Sequence, residues 1–321
     1  MATLTTNNVV RVSEDVENRI YNYRPSDTPL VSSIARRPVK AKLHEWTADT
    51  YRAPNANNAA VEGADATFPA VSQPGQYSNR TQIITDSFKI SGSTEAVKKY
   101  GRASEVAYQK TKKMVELKKD IEAAAIGNAT AVQDDGTSTA GKMRGLYGWI
   151  ATNNSLGTGG VAPNPQANTA PTEGTLRDFT EDMLKAVILS VYQNGGNADV
   201  LLVSPSHKQQ VSAFPGNVQR TNEVAAGNPR NVRLQTSFTF YGHDFGVTRV
   251  VPNRVMSGAG AGLVNTAYIV DYDKMALGQL RPFQTMELAR TGDAEAWQIL
   301  TEVTLIVDQE STLGAIRDLN P

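Results

Sequence analysis

The feature that most constrains this chain is a long helical pattern that directly follows a stretch with few packing residues. In residues 93–127, small and apolar side chains recur at alternating steps of three and four, the spacing of one face of an α-helix. Ser93 or Thr94 can cap its start, Gly127 marks its end, and Gly101 is the point where we expect a kink. The members of the stripe are Ala96, Val97, Tyr100, Ser104, Ala107, Thr111, Met114, Lys118, Ile121 and Ala125.

Two predicted strands and a long connection precede this helix. Lys42–Asp49 forms the first strand, and Thr81–Ser91 forms the second. The residues between them, 51–80, are rich in Ala, Asn, Pro and Gly, and a connection of that length is rare in a compact domain unless it has a task of its own. We therefore predict a long β-hairpin that reaches outward and contacts neighbouring subunits. The residues predicted to make those contacts are Trp46, Tyr51, Phe68, Tyr77 and Arg80.

The remaining pattern mixes helices and strands, and it predicts an α+β fold. A helix should begin at Thr175 and end at Gly195, and a strand over Asp199–Ser204 should lead into a helix that Ser204 and Pro205 start. Short helical or apolar segments are predicted at Glu14–Tyr23 and Leu30–Arg36. Leu146, Tyr147, Trp149 and Ile150 should be buried. Later strands are predicted at Arg233–Tyr241, Gly246–Val251, Thr266–Asp271, Pro282–Leu288 and Ala296–Val307.

Composition narrows the classes of function. The chain has 321 residues, which favours two subdomains, and a hydrophobic fraction of 40%, which is lean enough to suggest that burial is completed between chains. Lys plus Arg and Asp plus Glu both number 32, so the basic excess of a phosphate-gripping protein is missing. The sequence has no cysteine, which excludes disulfides and thiolate chemistry and fits a reducing cytoplasm.

The sequence predicts neither secretion nor membrane insertion. The first 25 residues lack the basic start and apolar run of a signal peptide. The longest strongly apolar stretch, Ala186–Tyr192, is far shorter than a bilayer span. We therefore expect a soluble protein.

One segment nearly matches a phosphate-binding motif. Gly136, Gly141 and Lys142 have the spacing of a nucleotide cradle, but Met143 stands where a hydroxyl should hold magnesium. A surface turn is the simpler interpretation. A nucleotide-dependent enzyme that uses Lys142 stays open as an alternative.

No other catalytic or metal pattern emerges. His44, His207 and His243 lack partners at metal-ligand spacing, so we predict no metal site and no cofactor. Ser204 and Ser206 lie close to His207, but the glycines of a nucleophile elbow are missing around them. The sequence therefore favours a structural protein over an enzyme.

Several stretches, in their order and spacing, resemble the major capsid proteins of tailed bacteriophages with the HK97-type fold. The likeness covers most of the chain and is strongest between Asp27 and Ile150. The stretches that carry it are Asp27–Ile34, Glu45-Trp46 with Asp49, Glu62-Gly63, Ser91–Val97, Tyr100–Arg102, Glu116–Asn128, Arg144–Leu146 and Trp149-Ile150.

The resemblance implies a division of the chain into named parts. Residues 1–38 would be an N-terminal arm, and residues 39–92 an extended E-loop. A peripheral (P) domain would take residues 93–150, with the spine helix at 93–127. The axial (A) domain would take residues 151–250, and residues 251–321 would be closing strands that return through the A domain to the P domain.

The resemblance also implies a function and partners. Such proteins assemble as hexamers and pentamers into an icosahedral shell around packaged double-stranded DNA, without sequence-specific DNA binding and without a membrane. A separate scaffolding protein and a portal would be partners, with assembly in the host cytoplasm and the finished protein in the virion. An encapsulin-like nanocompartment shell is the alternative within the same fold.

Overall fold

A computed structural model describes residues 20, 27–63, 65–68, 70–71, 73–214, 239–258, 260, 262–290 and 292–321. Its helices are α1 (Pro29–Ser33), α2 (Gly92–Ala96), α3 (Glu105–Gly127), α4 (Leu146–Trp149), α5 (Glu181–Gln193) and α6 (Pro205–Ser212). Its strands are β1 (Ala35–Pro38), β2 (Leu43–Ala48), β3 (Gly75–Arg80), β4 (Gln82–Ser91), β5 (Asn154–Ser155), β6 (Val200–Val203), β7 (Phe240–His243), β8 (Gly246–Pro252), β9 (Ala267–Val270), β10 (Met275–Leu288), β11 (Ala294–Val307) and β12 (Gly314–Ile316).

The spine helix is shorter than predicted. The sequence predicted one helix over residues 93–127, but the structure has the short α2, a break, and then the 23-residue α3. Gly101, where a kink was expected, has φ of 77°, a left-handed conformation that only glycine adopts readily and that no helix can continue through. Ser104 starts α3, because its side chain accepts a hydrogen bond from the Ala107 N–H.

The predicted stripe is buried in only part of α3. Ile121 and Ala125 of the stripe are buried as predicted, whereas Met114 and Lys118 are exposed. Leu117, which lies outside the stripe, is also buried. The first half of the helix rests on a sheet through polar contacts instead. Lys113 pairs with Asp86 of β4 at 2.8 Å, and the Lys110 ammonium lies 3.1 Å from the centre of the Trp297 ring.

That sheet has the strand order β1-β10-β11-β4. The hairpin of β10 and β11 is its centre, and β4 pairs antiparallel with β11 from Ser91–Ala294 to Gln82–Val303. The predicted pairing of the strands near residues 42–49 and 81–91 is therefore wrong. The partner of β2 is β3, with Trp46 opposite Tyr77, so the outward hairpin spans residues 43–80 and β4 belongs to the body of the protein.

The second sheet has six strands in the order β5-β12-β9-β6-β8-β7. Helix α5 covers one face, with Leu184, Val187 and Ile188 packed against Leu201 and Ile269. The opposite face shares a core with the buried end of α3.

Several boundaries in this second region differ from the predictions. Helix α5 begins at Glu181 instead of Thr175, because the Thr180 side chain accepts from the Met183 N–H and caps it there. After β10 and β11 the chain returns to the six-stranded sheet as β12. The predicted helix at Glu14–Tyr23 lies outside the described residues except for Ile20, and most of the predicted strand Arg233–Tyr241 does too.

Helix α4 sits unusually close to the end of α3. The predicted burial of Leu146, Tyr147, Trp149 and Ile150 is confirmed. The approach requires glycine at position 148, because a Cβ there would lie 1.9 Å from the Ala129 carbonyl oxygen. The Trp149 ring can therefore enter the core only while residue 148 has no side chain.

Replacing Gly148 with alanine should destabilise the subunit by about 1–3 kcal/mol, since backbone must move to make room. Gly127→Ala is the matched control. A Cβ at that position meets the flexible Leu263 side chain at 3.1 Å, so its effect should be small. Chemical denaturation of both variants measures the difference. Equal stability of the two variants would contradict this account of the close approach.

Candidate subunit interface

The base of the outward hairpin packs on its own chain. The Trp46 ring lies 5.4 Å from the Trp149 ring and 6.5 Å from the Tyr77 ring, measured between centroids. The Trp46 indole N–H donates to the Val307 carbonyl oxygen at 3.0 Å. Two of the predicted contact residues, Trp46 and Tyr77, are thus half-buried at the root of the hairpin.

A buried asparagine fixes the same root to the body. Asn79 is 1% exposed, and its Oδ1 accepts from the Arg144 N–H at 2.8 Å. Its Nδ2 donates to the carbonyl oxygens of Leu305 (2.6 Å) and Arg144 (3.1 Å). Burial lowers the pKa of Arg144 to about 10, which leaves its guanidinium charged at neutral pH, 4.6 Å from the Trp149 ring. The hairpin therefore leaves the body in a fixed direction.

The other predicted contact residues lie at the end of β3 and at the tip of the outward hairpin. Arg80 ends β3, and its guanidinium donates to the Gln133 side chain at 3.0 Å. Tyr51 and Phe68 lie in the connection between β2 and β3, and Phe68 is 92% exposed. The structure thus brings Trp46 and Tyr77 together and leaves Tyr51 and Phe68 apart from them. Further exposed apolar side chains in the connection are Val61 and Val71.

A buried carboxylate joins three parts of the chain. Glu122 of α3 is 0% exposed. Its two carboxylate oxygens accept from the N–H groups of Leu30 (2.9 Å) and Val31 (2.7 Å) at the start of α1, and from the Asn253 side chain (2.7 Å). The one available sequence signal was the run of small and apolar residues around Glu122.

The electrostatics of Glu122 follow from this burial. Loss of hydration raises the pKa of the Glu122 carboxyl, and the hydrogen bonds from Val31, Leu30 and Asn253 partly oppose that rise. The donors occupy both oxygens, so the carboxylate acts as a structural acceptor and not as a general base.

The possible nucleotide loop is already occupied by its own side chain. Asp135 Oδ1 accepts three backbone N–H groups at 2.8–2.9 Å, and these bonds hold the pKa of Asp135 far below its usual range. Such amides are what a phosphate cradle must offer to its ligand. Lys142 pairs through its backbone with Val132. The donors to Asp135 are Thr137, Ser138 and Thr139.

The histidines do not form a site either. Ser204 and His207 are fully buried, and the Ser204 hydroxyl accepts from the His207 N–H as a helix cap. Burial lowers the pKa of His207, whose ring also contacts the Asn320 carbonyl oxygen at 3.0 Å. Within the described part of the chain, no three His, Asp or Glu side chains converge on a possible metal site.

No described helix has the length and apolarity to span a bilayer.

Known proteins share this architecture. The family model for the SU10 major capsid protein matches residues 1–320. The major capsid protein of Escherichia phage Phieco32 is 24% identical over 314 residues, which cover 88% of this chain and 87% of that protein. The capsid asymmetric unit of cyanophage A-1(L) has a TM-score of 0.64 at 14% identity over 99% of both chains. The holo-SrpI encapsulin complex from Synechococcus elongatus has a TM-score of 0.55 at 10% identity, over 97% of this chain and 93% of that one.

The fold is therefore the HK97-type fold of shell-forming proteins, and the expected α+β class is confirmed. Structural likeness at such low identity establishes the fold alone, and an encapsulin shares it. The family match favours a phage capsid protein over the encapsulin-like shell that was the alternative expectation. This chain belongs to the SU10 major capsid protein family, so it is a structural protein of the phage virion that forms the capsid shell.

The Glu122 contacts predict a measurable loss on substitution. Glu122→Gln should reduce the free energy of unfolding by about 1–3 kcal/mol, because the amide nitrogen would face backbone N–H donors. In the folded subunit the pKa of Glu122 lies above its ordinary value of 4.5. The stabilisation that this raised pKa gives the wild type is therefore present below pH 4.5 and is lost as the pH rises through the pKa of the folded state. Denaturation over a pH series should show that the difference in free energy of unfolding between the wild type and Glu122→Gln becomes smaller as the pH rises. A constant gap would contradict the raised pKa.

The aromatic root of the hairpin gives a second prediction. Trp46→Ala should lower stability by about 2–4 kcal/mol, since a half-buried ring and its packing are lost. Trp46→Phe keeps an aromatic ring and loses the hydrogen bond to Val307, so it should cost about 1 kcal/mol. Thermal unfolding of the unassembled subunit distinguishes them. An unchanged melting temperature in Trp46→Ala would show that this packing does not stabilise the subunit.

Proposed function

We propose that this capsid subunit closes its shell by placing the tip of its E-loop on a neighbouring copy. One observation carries the proposal: a firmly anchored root holds a connection whose apolar side chains Tyr51, Val61, Phe68 and Val71 are almost fully exposed. A single chain gains nothing from presenting these residues to water. A second copy that covers them would supply the missing burial.

The parts of the subunit are proposed to follow the division expected from the resemblance. Residues 1–38 act as the N-terminal arm, whose last strand β1 joins the P-domain sheet. Residues 39–92 act as the E-loop region, in which the β2–β3 hairpin reaches outward while β4 pairs within the P-domain sheet. Residues 93–150 with the sheet of β1, β10, β11 and β4 form the P domain. Residues 151–250 with the six-stranded sheet form the A domain, and residues 251–321 contribute strands to both. The support is that each proposed domain has one sheet and its own covering helix.

Assembly as hexamers and pentamers fits the modest size of each exposed surface. In a closed shell every copy is held at several surfaces at once, so weak contacts combine into a stable particle. The proposed partners are other copies of this chain, a separate scaffolding protein and a portal. Trp46, Tyr77 and Arg80 support the tip from its root, while Tyr51 and Phe68 make the contacts with the neighbour.

The proposed content of the shell is double-stranded DNA, held without sequence recognition. Equal numbers of acidic and basic residues, 32 of each, limit adhesion of DNA to the wall.

We also propose that the subunit has no catalytic activity, since Asp135 uses the amides that a phosphate would need. Calorimetry at millimolar ATP should detect no binding. Binding that Lys142→Ala abolishes would contradict this part of the proposal.

Removal of the tip tests its role in closure. Replacing residues 53–73 with two glycines keeps both β2 and β3, so the subunit should fold with an unchanged melting temperature. The variant should fail to close shells, because the apolar contacts between copies are gone. Negative-stain electron microscopy of the wild type and the variant, expressed in parallel, measures the result. Normal particles from the variant would refute the proposed role of the E-loop.

A further inference from the structure

A cleft of about 290 Å³ opens beside the root of the E-loop. Its apolar lining includes Val132 and Ile83, and Ile83 is 46% exposed although it is a large aliphatic residue of β4. Its charged lining comes from Lys42, Arg80, Asp134 and Glu302. The cleft thus combines an exposed apolar surface with fixed charges at one end of the sheet.

One positive charge in this cleft is uncompensated. Lys42 pairs with Asp134 at 3.1 Å, and Glu302 pairs with Arg281 at 2.8 Å. Arg80 contacts the neutral Gln133 side chain, and no carboxylate among the described residues pairs with it. An arginine at the edge of an apolar cleft is suited to a carboxylate ligand.

The tip of the E-loop carries the complementary features. Residues 61–71 contain two acids, Glu62 and Asp65, and no Lys, Arg or His. Both acids are exposed, and neither forms an ion pair within the described part of the chain. Phe68 lies close to them in sequence and is 92% exposed, so in an isolated chain it does not fill the chain's own cleft.

We propose that residues 61–71 of one copy dock in the Arg80 cleft of a second copy. Glu62 and Asp65 face Arg80, and Phe68 covers Ile83. This inference rests on the proposed function and adds the receiving surface to it. The specificity comes from the pairing of unmatched charges, and the burial of the aromatic ring provides most of the free energy.

A charge swap tests the electrostatic part. Arg80→Glu should reduce shell yield at least about tenfold, because like charges then face each other at every copy. Glu62→Lys with Asp65→Lys should do the same, and the triple variant should restore shells. Arg52→Glu is the matched control, since it changes an E-loop charge outside residues 61–71 and should assemble normally. Circular dichroism confirms that each subunit folds.

Engineered disulfides test the partner. The chain has no native cysteine, so Phe68→Cys and Ile83→Cys introduce the only thiols. When chains with one substitution co-assemble with chains carrying the other, oxidation should give a covalent dimer on a non-reducing gel. Phe68→Cys with Val255→Cys, a pair outside the cleft, should give none.

The outcomes separate the two proposals. Restored shells in the triple variant together with the mixed dimer support the cleft. Folded triple variants that fail to assemble, single variants that assemble normally, or mixed shells without the dimer overturn it. A chain that carries both Phe68→Cys and Ile83→Cys and forms the disulfide within itself would also overturn it. Each of these outcomes requires that the wild-type chain forms shells. If the wild-type chain forms none, that result counts against the proposed function itself.

Discussion

The arrangement of the subunit depends on one buried carboxylate. Burying the charge of Glu122 is unfavourable unless donors replace its lost water, and here the donors come from two separate segments of the chain. A five-residue helix such as α1 has no stability of its own. It forms because Glu122 accepts the N–H groups at its start, where the helix dipole also favours negative charge. Helix α1, helix α3 and the segment after β8 are therefore fixed together.

Local patterns in the sequence were sufficient for much of the fold. Strand β6, the cap of α6 by Ser204 and the buried Trp149 segment could be predicted because each depends on neighbouring residues or on strong apolar content. The break between α2 and α3 overrode the helical spacing, since α2 ends at an extended Val97 and Gly101 has a left-handed conformation that a helix cannot continue through. Helix α5 begins later than the predicted Thr175, because the Thr180 side chain caps it.

Pairing between distant residues was beyond sequence reasoning. Strand β4 matched β2 in character, yet it pairs with β11, about 200 residues away, and only the register reveals this. The burial of Glu122 could not be predicted, because charged residues are rarely fully buried. For the candidate interface, the sequence predicted an outward hairpin and the aromatic residues on it. Only the structure separates the packed root, with Trp46 and Tyr77, from the exposed tip, with Phe68.

The long ribbon of β10 and β11 has a further consequence. Its register shifts between Gln279 and Arg281 and again between Arg281 and Gln284. Such irregularities concentrate bending and twist at one point. Beyond them the ribbon is half-exposed, while the part before them is buried. The direction of the outer ribbon is therefore set by a few residues around Arg281, and changes there can re-aim it without disturbing the hydrophobic interior.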